Sequence, residues 1–454
     1  MGIESYDRNT NDVLIGGWPG VPQDNGIGYS KKLFAPRFGF AYQAFSNTVI
    51  RGGYGITYHS HPWGAQALRG YYPLTIVGTY SGPPYQPITL DPNYVKAGMP
   101  NAPLGGKVGI LSICCPDRSK GRQQLPLSAV MGYPEANKEL KRGYIQSWNL
   151  IIEHKLPYEL VTSIGYVGSH SVNGLGFINI NAGQLPGLGY DGMPLYAKFG
   201  RTADTNLWNG QYGSSYNSMQ VTLNRRFVGG LFLKGAYTWS HAIGEVEYSD
   251  WTGAEGGIWG ALSQRSRNRA ATAFNRPHML QLAFVYELPF GAGKSFATSG
   301  AAKAILGGWQ TNGIFSAIQG GQYRLSASGS SLDIGEGNIQ TPDQVKPDVA
   351  VLGGLGDTPW FDTTAFRRVT AVRFGNVGRN TMRGPTRVNL DFSLFRKFKI
   401  TEKVGMEFRA ESFNFTNTPH FGNPNGNVNS SNFGKILGDA GDPRTFRFGL
   451  RVAF

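Results

Sequence analysis

The last nine residues, Phe446-Arg447-Phe448-Gly449-Leu450-Arg451-Val452-Ala453-Phe454, alternate large apolar side chains with polar or small ones up to the terminal carboxylate. A period of two puts Phe446, Phe448, Leu450, Val452 and Phe454 on one face of an extended strand and Arg447, Gly449, Arg451 and Ala453 on the other. Core strands of soluble sheets rarely stop on an aromatic residue. Moving upstream, Val388, Leu390, Phe392 and Leu394 alternate with Asn389, Asp391 and Ser393. After a turn near residues 399–403, Val404, Met406, Phe408 and Ala410 alternate with Glu407, Arg409 and Glu411. Pairing the two stretches across that turn sets Phe392 against Phe408 and Asp391 opposite or diagonal to Arg409. A face carrying Asp391, Glu407, Arg409 and Glu411 suits a wet lumen and is foreign to an apolar core.

The same alternation marks Leu280 to Leu288, Met219 to Leu223, Leu231 to Trp239, Trp148 to Ile152, Leu160 to Tyr166, Phe38 to Tyr42 and Ile50 to Tyr58. Most stretches run about ten residues, the span of a tilted transmembrane strand. Trp148, Tyr166, Tyr237, Trp239, Tyr286 and Trp309 are read as strand-end residues of the aromatic belts at the two membrane interfaces. Short links at 44–47, 155–159, 227–230 and 399–403, and a middling one at 289–307, alternate with long links rich in Gly, Pro, Asn and Ser. The long ones fall at 59–143, 169–213, 243–276, 319–384 and 416–442. Tight periplasmic turns alternating with long, structureless extracellular loops make an outer-membrane pattern. The expected fold is therefore all-β: an antiparallel transmembrane outer-membrane β-barrel with about 11–12 strands present. Eleven spans are countable, with one uncertain extra segment at Tyr72 to Tyr80. If the last strand runs down to the periplasm, the strand near residues 34–43 also runs down, into a short turn.

Composition narrows the function classes. Only 16% of residues are charged and 13% are aromatic, with no apolar run long enough for a membrane helix. The formal charge of +14 comes from scattered basic residues without a dense run, so nucleic-acid binding is not expected; a solvated loop surface facing anionic lipopolysaccharide fits better. Met1 to Arg8 show no export signal, which an outer-membrane protein needs, so either the barrel reading fails or the sequence lacks its natural N-terminus. Cys114 and Cys115 form either a strained vicinal disulfide or incidental loop thiols, and do not make a zinc site.

Several segments, in order, carry a family resemblance. These are Ala35-Pro-Arg-Phe-Gly-Phe-Ala-Tyr, Val49-Ile-Arg-Gly-Gly-Tyr-Gly-Ile-Thr-Tyr, Gln146-Ser-Trp-Asn-Leu, Gly165-Tyr-Val-Gly-Ser-His and Tyr216-Asn-Ser-Met-Gln. Further on come Tyr237-Thr-Trp-Ser, Tyr286-Glu-Leu-Pro-Phe-Gly, Gly307-Gly-Trp-Gln and Phe408-Arg-Ala-Glu-Ser-Phe-Asn-Phe-Thr-Asn. Together they resemble TonB-dependent receptors of the Oar-like group, from about Phe34 to the end. The resemblance implies a barrel of about 22 strands with an N-terminal plug and a TonB-contacting segment. Residues 1–33 then form an N-terminal loop segment of a truncated barrel, and 34–454 the C-terminal portion. TonB and plug become partners only through an N-terminal half that this sequence does not contain. The implied activity is energised import of a bulky solute. The alternatives are a passive or structural barrel or adhesion scaffold, an inactive fragment lacking plug and TonB box, and a soluble β-rich binding protein or enzyme.

No catalytic triad, cofactor motif or metal set stands out, and no enzyme activity or cofactor is expected. Gly187-Leu-Gly-Tyr-Asp-Gly192 spells a dinucleotide fingerprint, but no strand precedes it and no helix is expected after it, so it reads as loop glycines. His59 and His61 are either half of a metal site or a chance pair. Phe446, Phe448, Leu450, Val452 and Phe454 resemble the signal read by the barrel-assembly machinery, while Asp391, Glu407, Arg409 and Glu411 form a lumen-facing charge ladder. Arg265, Arg267 and Arg269, with Trp251 and Trp259, are the candidate ligand-contacting loop residues; plain solvation is the favoured reading of the arginines. The exposed-loop aromatics Tyr71, Tyr72, Tyr80, Tyr85, Trp208 and Tyr212 either stack on a ligand or pack the loops. Membrane lipid and lipopolysaccharide are the expected outer partners.

Overall fold

The structure, a computed structural model, describes residues 4–28, 30–59, 117–246 and 258–454. Eleven strands build a wall: β1 (Arg37–Phe45), β2 (Thr48–Tyr58), β3 (Tyr144–Leu156), β4 (Leu160–Asn179), β5 (Thr205–Val228), β6 (Leu231–Gly244), β7 (His278–Glu287), β8 (Trp309–Ile318), β9 (Arg387–Lys399), β10 (Gly405–Phe413) and β11 (Thr445–Ala453). Each pairs antiparallel with the next in chain order. Ala270–Ala271 beside β6, and Met131–Pro134 running parallel to the start of β5, bring the sheet to 13 strands. The segment from Tyr72 to Tyr80, and Cys114 and Cys115, lie outside the described residues.

The pleat sorts side chains as the alternation dictates. Phe38 meets Tyr54, Tyr54 meets Trp148, Leu150 meets Tyr166, Tyr166 meets Met219 and Met219 meets Trp239. Beyond β6, Tyr237 meets Leu280, Leu282 meets Phe315, Phe315 meets Leu390, Leu394 meets Ala410 and Ala410 meets Phe448. One continuous apolar band results, and protein does not cover it: Phe448 is 70% exposed, and Phe38, Leu150, Ile164 and Trp239 are exposed as well. Water against such a band costs about 25 cal/mol per Å²; lipid removes that cost, which is why the band is tolerable only in a membrane.

Tight turns close one end. Between β5 and β6, Gly229 and Gly230 both adopt positive φ (59° and 79°), the backbone that a two-residue hairpin turn requires. Trp309 and Tyr286 sit at this end, while Trp239 stands opposite His278 at the start of β7, near the other end. Trp148 and Tyr166 fall mid-strand instead of at a belt.

The β9–β10 hairpin keeps the expected faces but shifts its pairing by four residues. Phe392 meets Ser412, Phe408 meets Arg396 and Arg409 meets Phe395. The alternation continues past Leu394 to Phe398, which pairs with Met406, and Ile400 N–H donates to Val404 O (3.0 Å). The turn is thereby centred on Glu402, and because the shift is even no side chain changes face.

Where they are described, the long links are folded, contrary to their loop-like composition. β4 and β5 stay paired as far as Asn179 and Asn206, with irregularities between Ser171 and Leu175, so the link expected at 169–213 starts and ends as a protruding two-stranded ribbon. Within residues 1–33, read as loop, Glu4–Asp7 and Asp12–Ile15 form a hairpin, extended by Arg122–Gln124. Tyr6 and Val13 pack with Leu125, Met131, Tyr133, Leu195 and Leu207, while Tyr323, Leu325, Phe361, Phe366, Met382 and Val428 form a second core. The buried core of the described chain thus sits mainly in the layer above the wall. Gly183 joins two of its loops: its N–H donates to Glu336 O (3.1 Å), and a Cβ there would stand 1.4 Å from Ile334 O. Gly183→Ala is therefore expected to destabilise the layer by more than about 2 kcal/mol. Faster surface proteolysis of the loops, with the wall intact, is the readout.

Candidate functional site

The inner face of the wall is polar and charged where β9, β10 and β11 lie side by side. Lys397, Glu407 and Arg451 share one register line, and Ser393, Glu411 and Arg447 another. Glu407 accepts a hydrogen bond from Arg409 Nε, with Lys397 Nζ 4.0 Å from its carboxylate. The Arg409 guanidinium lies 5.5 Å from the Phe395 ring centre, and Arg447 the same distance from Phe413. The expected ladder is therefore only partly joined. Glu411 shares the face without an ion pair among the described residues. Asp391 is not opposite Arg409: it accepts from Asn389 Nδ2 (3.0 Å) and from the Asn414 N–H (2.9 Å), holding the chain where it leaves β10. The four-residue shift in pairing is the cause. A further inner pair, Arg51 with Glu153 at 2.5 Å across β2 and β3, was readable from odd-numbered charges on strands whose even positions are apolar.

Above the lumen, a cavity of about 470 Å³ opens where the ends of β4 and β5 meet the links after β6 and β8. Asp204, Tyr212, Arg265, Arg324 and Asn338 are among its polar lining residues, and Trp259 also borders it. Burial raises the pKa of Asp204, whose carboxylate accepts from Asn179 Nδ2 at 2.5 Å.

Of the arginines singled out from sequence, Arg265 lines this cavity and Arg269 is exposed. Arg267 is committed to the loop layer. Its guanidinium stacks 4.3 Å from the Trp259 ring centre and donates to Gly375 O (2.8 Å), Val377 O (2.6 Å) and Gln264 Oε1 (2.6 Å). Trp259 is only 1% exposed, with its indole N–H on Ile339 O (2.9 Å). These two hold loops together, and Trp259 also borders the cavity that Arg265 lines. Trp251 lies outside the described residues.

Tyr212 and Trp208 are buried in the layer, Tyr212 OH donating to Phe177 O (2.5 Å) and Trp208 meeting Phe177 edge-on at 5.3 Å. Tyr71, Tyr72, Tyr80 and Tyr85 lie outside the described residues. His59 bonds Ser171 Oγ (3.1 Å), and His61 is outside the described residues. A short helix, α1 (Pro194–Phe199), does follow the glycine run, contrary to expectation. The N–H groups of Gly187 and Gly189 are nevertheless spent on the carbonyl of Asp333, and that of Gly187 also on Leu332.

In the same layer Arg373 grips Asp343 with two hydrogen bonds (3.0 and 2.6 Å), and the Asn376 N–H adds a third (3.1 Å). The Arg373 hydrogen bond is the main reason the Asp343 carboxyl titrates below its ordinary range. A depressed folded-state pKa gives stability that is present above the unfolded value of about 3.9 and lost as pH falls through the folded one. Pepsin nicking near residue 343 is expected to stay slow at pH about 4 and to rise below it. Asp343→Asn is expected to raise nicking already at pH about 4 and to flatten the acid response.

A family model described as an outer membrane beta barrel domain matches residues 2–447. No curated protein sequence matches the chain. Solved structures similar to it include the outer membrane transporter YddB from Escherichia coli, at 9% identity and TM-score 0.48 over 92% of this chain and 40% of that one. The ferric-catecholate import receptor Fiu from E. coli K12 is similar at 11% identity and TM-score 0.38, over 92% and 34%. The pyoverdine outer membrane receptor FpvA from Pseudomonas aeruginosa PAO1 is similar at 10% identity and TM-score 0.43, over 92% and 36%. The chain thus spans well under half the length of these structures.

Proposed function

The chain belongs to the outer membrane beta-barrel domain family and lies in the bacterial outer membrane, and from that premise we propose that it is the C-terminal barrel part of a TonB-dependent receptor of the Oar-like group. Such a receptor moves a bulky solute inward with energy relayed from the inner membrane. It binds and passes its solute without bond-making chemistry. The ordered motifs from Ala35 to Asn417 support the subgroup.

The observation that carries the reading is the direction of the two edge strands. β1 and β11 both run toward the short-turn end, and among the described residues they do not pair with each other. Closing the wall on itself would force a parallel pair. Antiparallel closure instead takes an odd number of further strands, which a barrel of about 22 supplies, with a lumen wide enough to need a plug. The charged inner face then lines the plug, lipid and lipopolysaccharide cover the outer band, and TonB acts through segments that precede the wall.

The test is made on the protein extracted from its own outer membrane. Capture by the periplasmic domain of TonB, together with no steady conductance in planar bilayers, is the expected result. A steadily conducting pore that ignores TonB would make it a passive barrel and overturn the proposal.

A further inference from the structure

The link between β7 and β8, residues 288–308, is the longest at the short-turn end and is itself folded. Leu288 N–H donates to Trp309 O (2.8 Å), Phe296 N–H to Pro289 O (3.0 Å) and Gly291 N–H to Phe296 O (2.9 Å). A short helix, α2 (Gly300–Leu306), follows. Its last turn is fastened to the wall by two side chains of the outward-facing register line. Arg396 Nη1 donates to Ile305 O (2.8 Å), Arg396 Nη2 to Ala304 O, and Trp309 Nε1 to Ile305 O (2.9 Å). Trp309 stands opposite Arg396, and Arg396 opposite Phe408. The guanidinium also stacks on Phe398 (4.4 Å) and Trp309 (5.4 Å), while Trp309 meets Phe408 edge-on at 6.1 Å. The helix is therefore tied to the outside of the wall, where the apolar band ends.

Its free surface continues that band. Ala302, Ile305 and Leu306 are spaced i, i+3, i+4 and share one face. Ile305 is 65% exposed, and Leu306 and Phe296 are exposed with it. A turn solvated by periplasmic water has no use for three large apolar side chains on display. Lys303 on the helix and Arg396 at its end supply positive charge at headgroup depth, with apolar stems that reach along the surface.

We infer that residues 288–308 form an interfacial foot, lying in the periplasmic phospholipid leaflet with Ala302, Ile305 and Leu306 turned into the acyl region and Arg396 holding the helix against the wall. The inference rests on the membrane setting of the wall alone and is independent of transport. It makes the link a lipid contact that fixes the depth of the wall in the membrane.

Spin labels test it in isolated outer membranes, on the protein with Cys114 and Cys115 replaced by serine. A label at Ala302→Cys is expected to be accessible to oxygen and shielded from a water-soluble nickel chelate. A label at Thr401→Cys, in the β9–β10 turn, should show the reverse. Equal nickel access at both positions would overturn the foot. Adding Arg396→Ala should move the 302 label toward water while heat-modifiable gel migration stays unchanged; an unmoved label would remove the fastening role of Arg396.

Discussion

Arg201→Ala is expected to unfold the part of the loop layer that holds the N-terminal hairpin while leaving the wall assembled. The side chain is fully buried, yet no carboxylate forms an ion pair with it among the described residues. Its charge is met mainly by dipoles, with the Asp204 carboxylate acting at longer range: Nε donates to Thr205 Oγ1 (2.6 Å), Nη1 to Pro126 O (2.7 Å) and Nη2 to Ala129 O (2.5 Å). Burial pushes its pKa down to about 10, so it stays protonated at neutral pH. Truncation would strand two carbonyls of the 126–129 strip and open a cavity beside the core built on Tyr6, Leu125 and Met131. A buried acceptor left unmade costs about 1–3 kcal/mol. Relief of the guanidinium's own desolvation offsets part of this, leaving a net loss of roughly 3 kcal/mol. Arg201→Lys should fall between, because one ammonium cannot reach three acceptors set for a planar fork. Brief protease treatment of intact cells should cut the layer in the alanine variant, with heat-modifiable migration preserved. An uncut layer would mean that the packing of Tyr6 and Leu207, not the guanidinium, holds these loops.

That separation of layer from wall also explains what the sequence displayed and what it hid. A wall strand announces itself because its two faces meet different solvents, so Leu280 to Tyr286 or Phe446 to Phe454 must alternate. Pairing in chain order followed from the links, since a meander leaves few other choices. The loop cores have no such rule. Tyr323, Phe361, Met382 and Val428 meet from distant positions in the chain, and no local period marks them. Trp259 and Arg267 show the same limit: an aromatic and a cation in a loop look like ligand contacts, and nothing local announces that they also stack on each other and pin two loops together. Of the inner charges, the face was legible and the partners were not. Parity fixes the face, but the partner of Arg409 depends on where the turn is centred, and the alternation had to be followed through Phe398 to find it.

Phe454→Asp is the substitution in which folded-state energetics and assembly part company. Phe454 is 100% exposed and lies beyond the last paired residue, Ala453, so removing its ring breaks no contact within the protein. A charge near the membrane interface costs about 0–1 kcal/mol for a barrel side chain, too little to empty the membrane of a folded wall. If the alternating apolar face that ends at Phe454 is read by the barrel-assembly machinery, however, the same change should lower the outer-membrane level severalfold. Undelivered chain would then appear in the periplasm or as degradation products. Phe454→Tyr, which keeps an aromatic ring at the end of the face, should restore the level. Arg451→Asp on the inner face offers a comparison, since it changes charge on the same strand without touching the apolar line. A normal level for Phe454→Asp, or an equal fall for Arg451→Asp, would show that the terminal face is a lipid contact and carries no assembly signal. The expected order of outer-membrane levels is wild type, Phe454→Tyr and Arg451→Asp together at the top, and Phe454→Asp well below them.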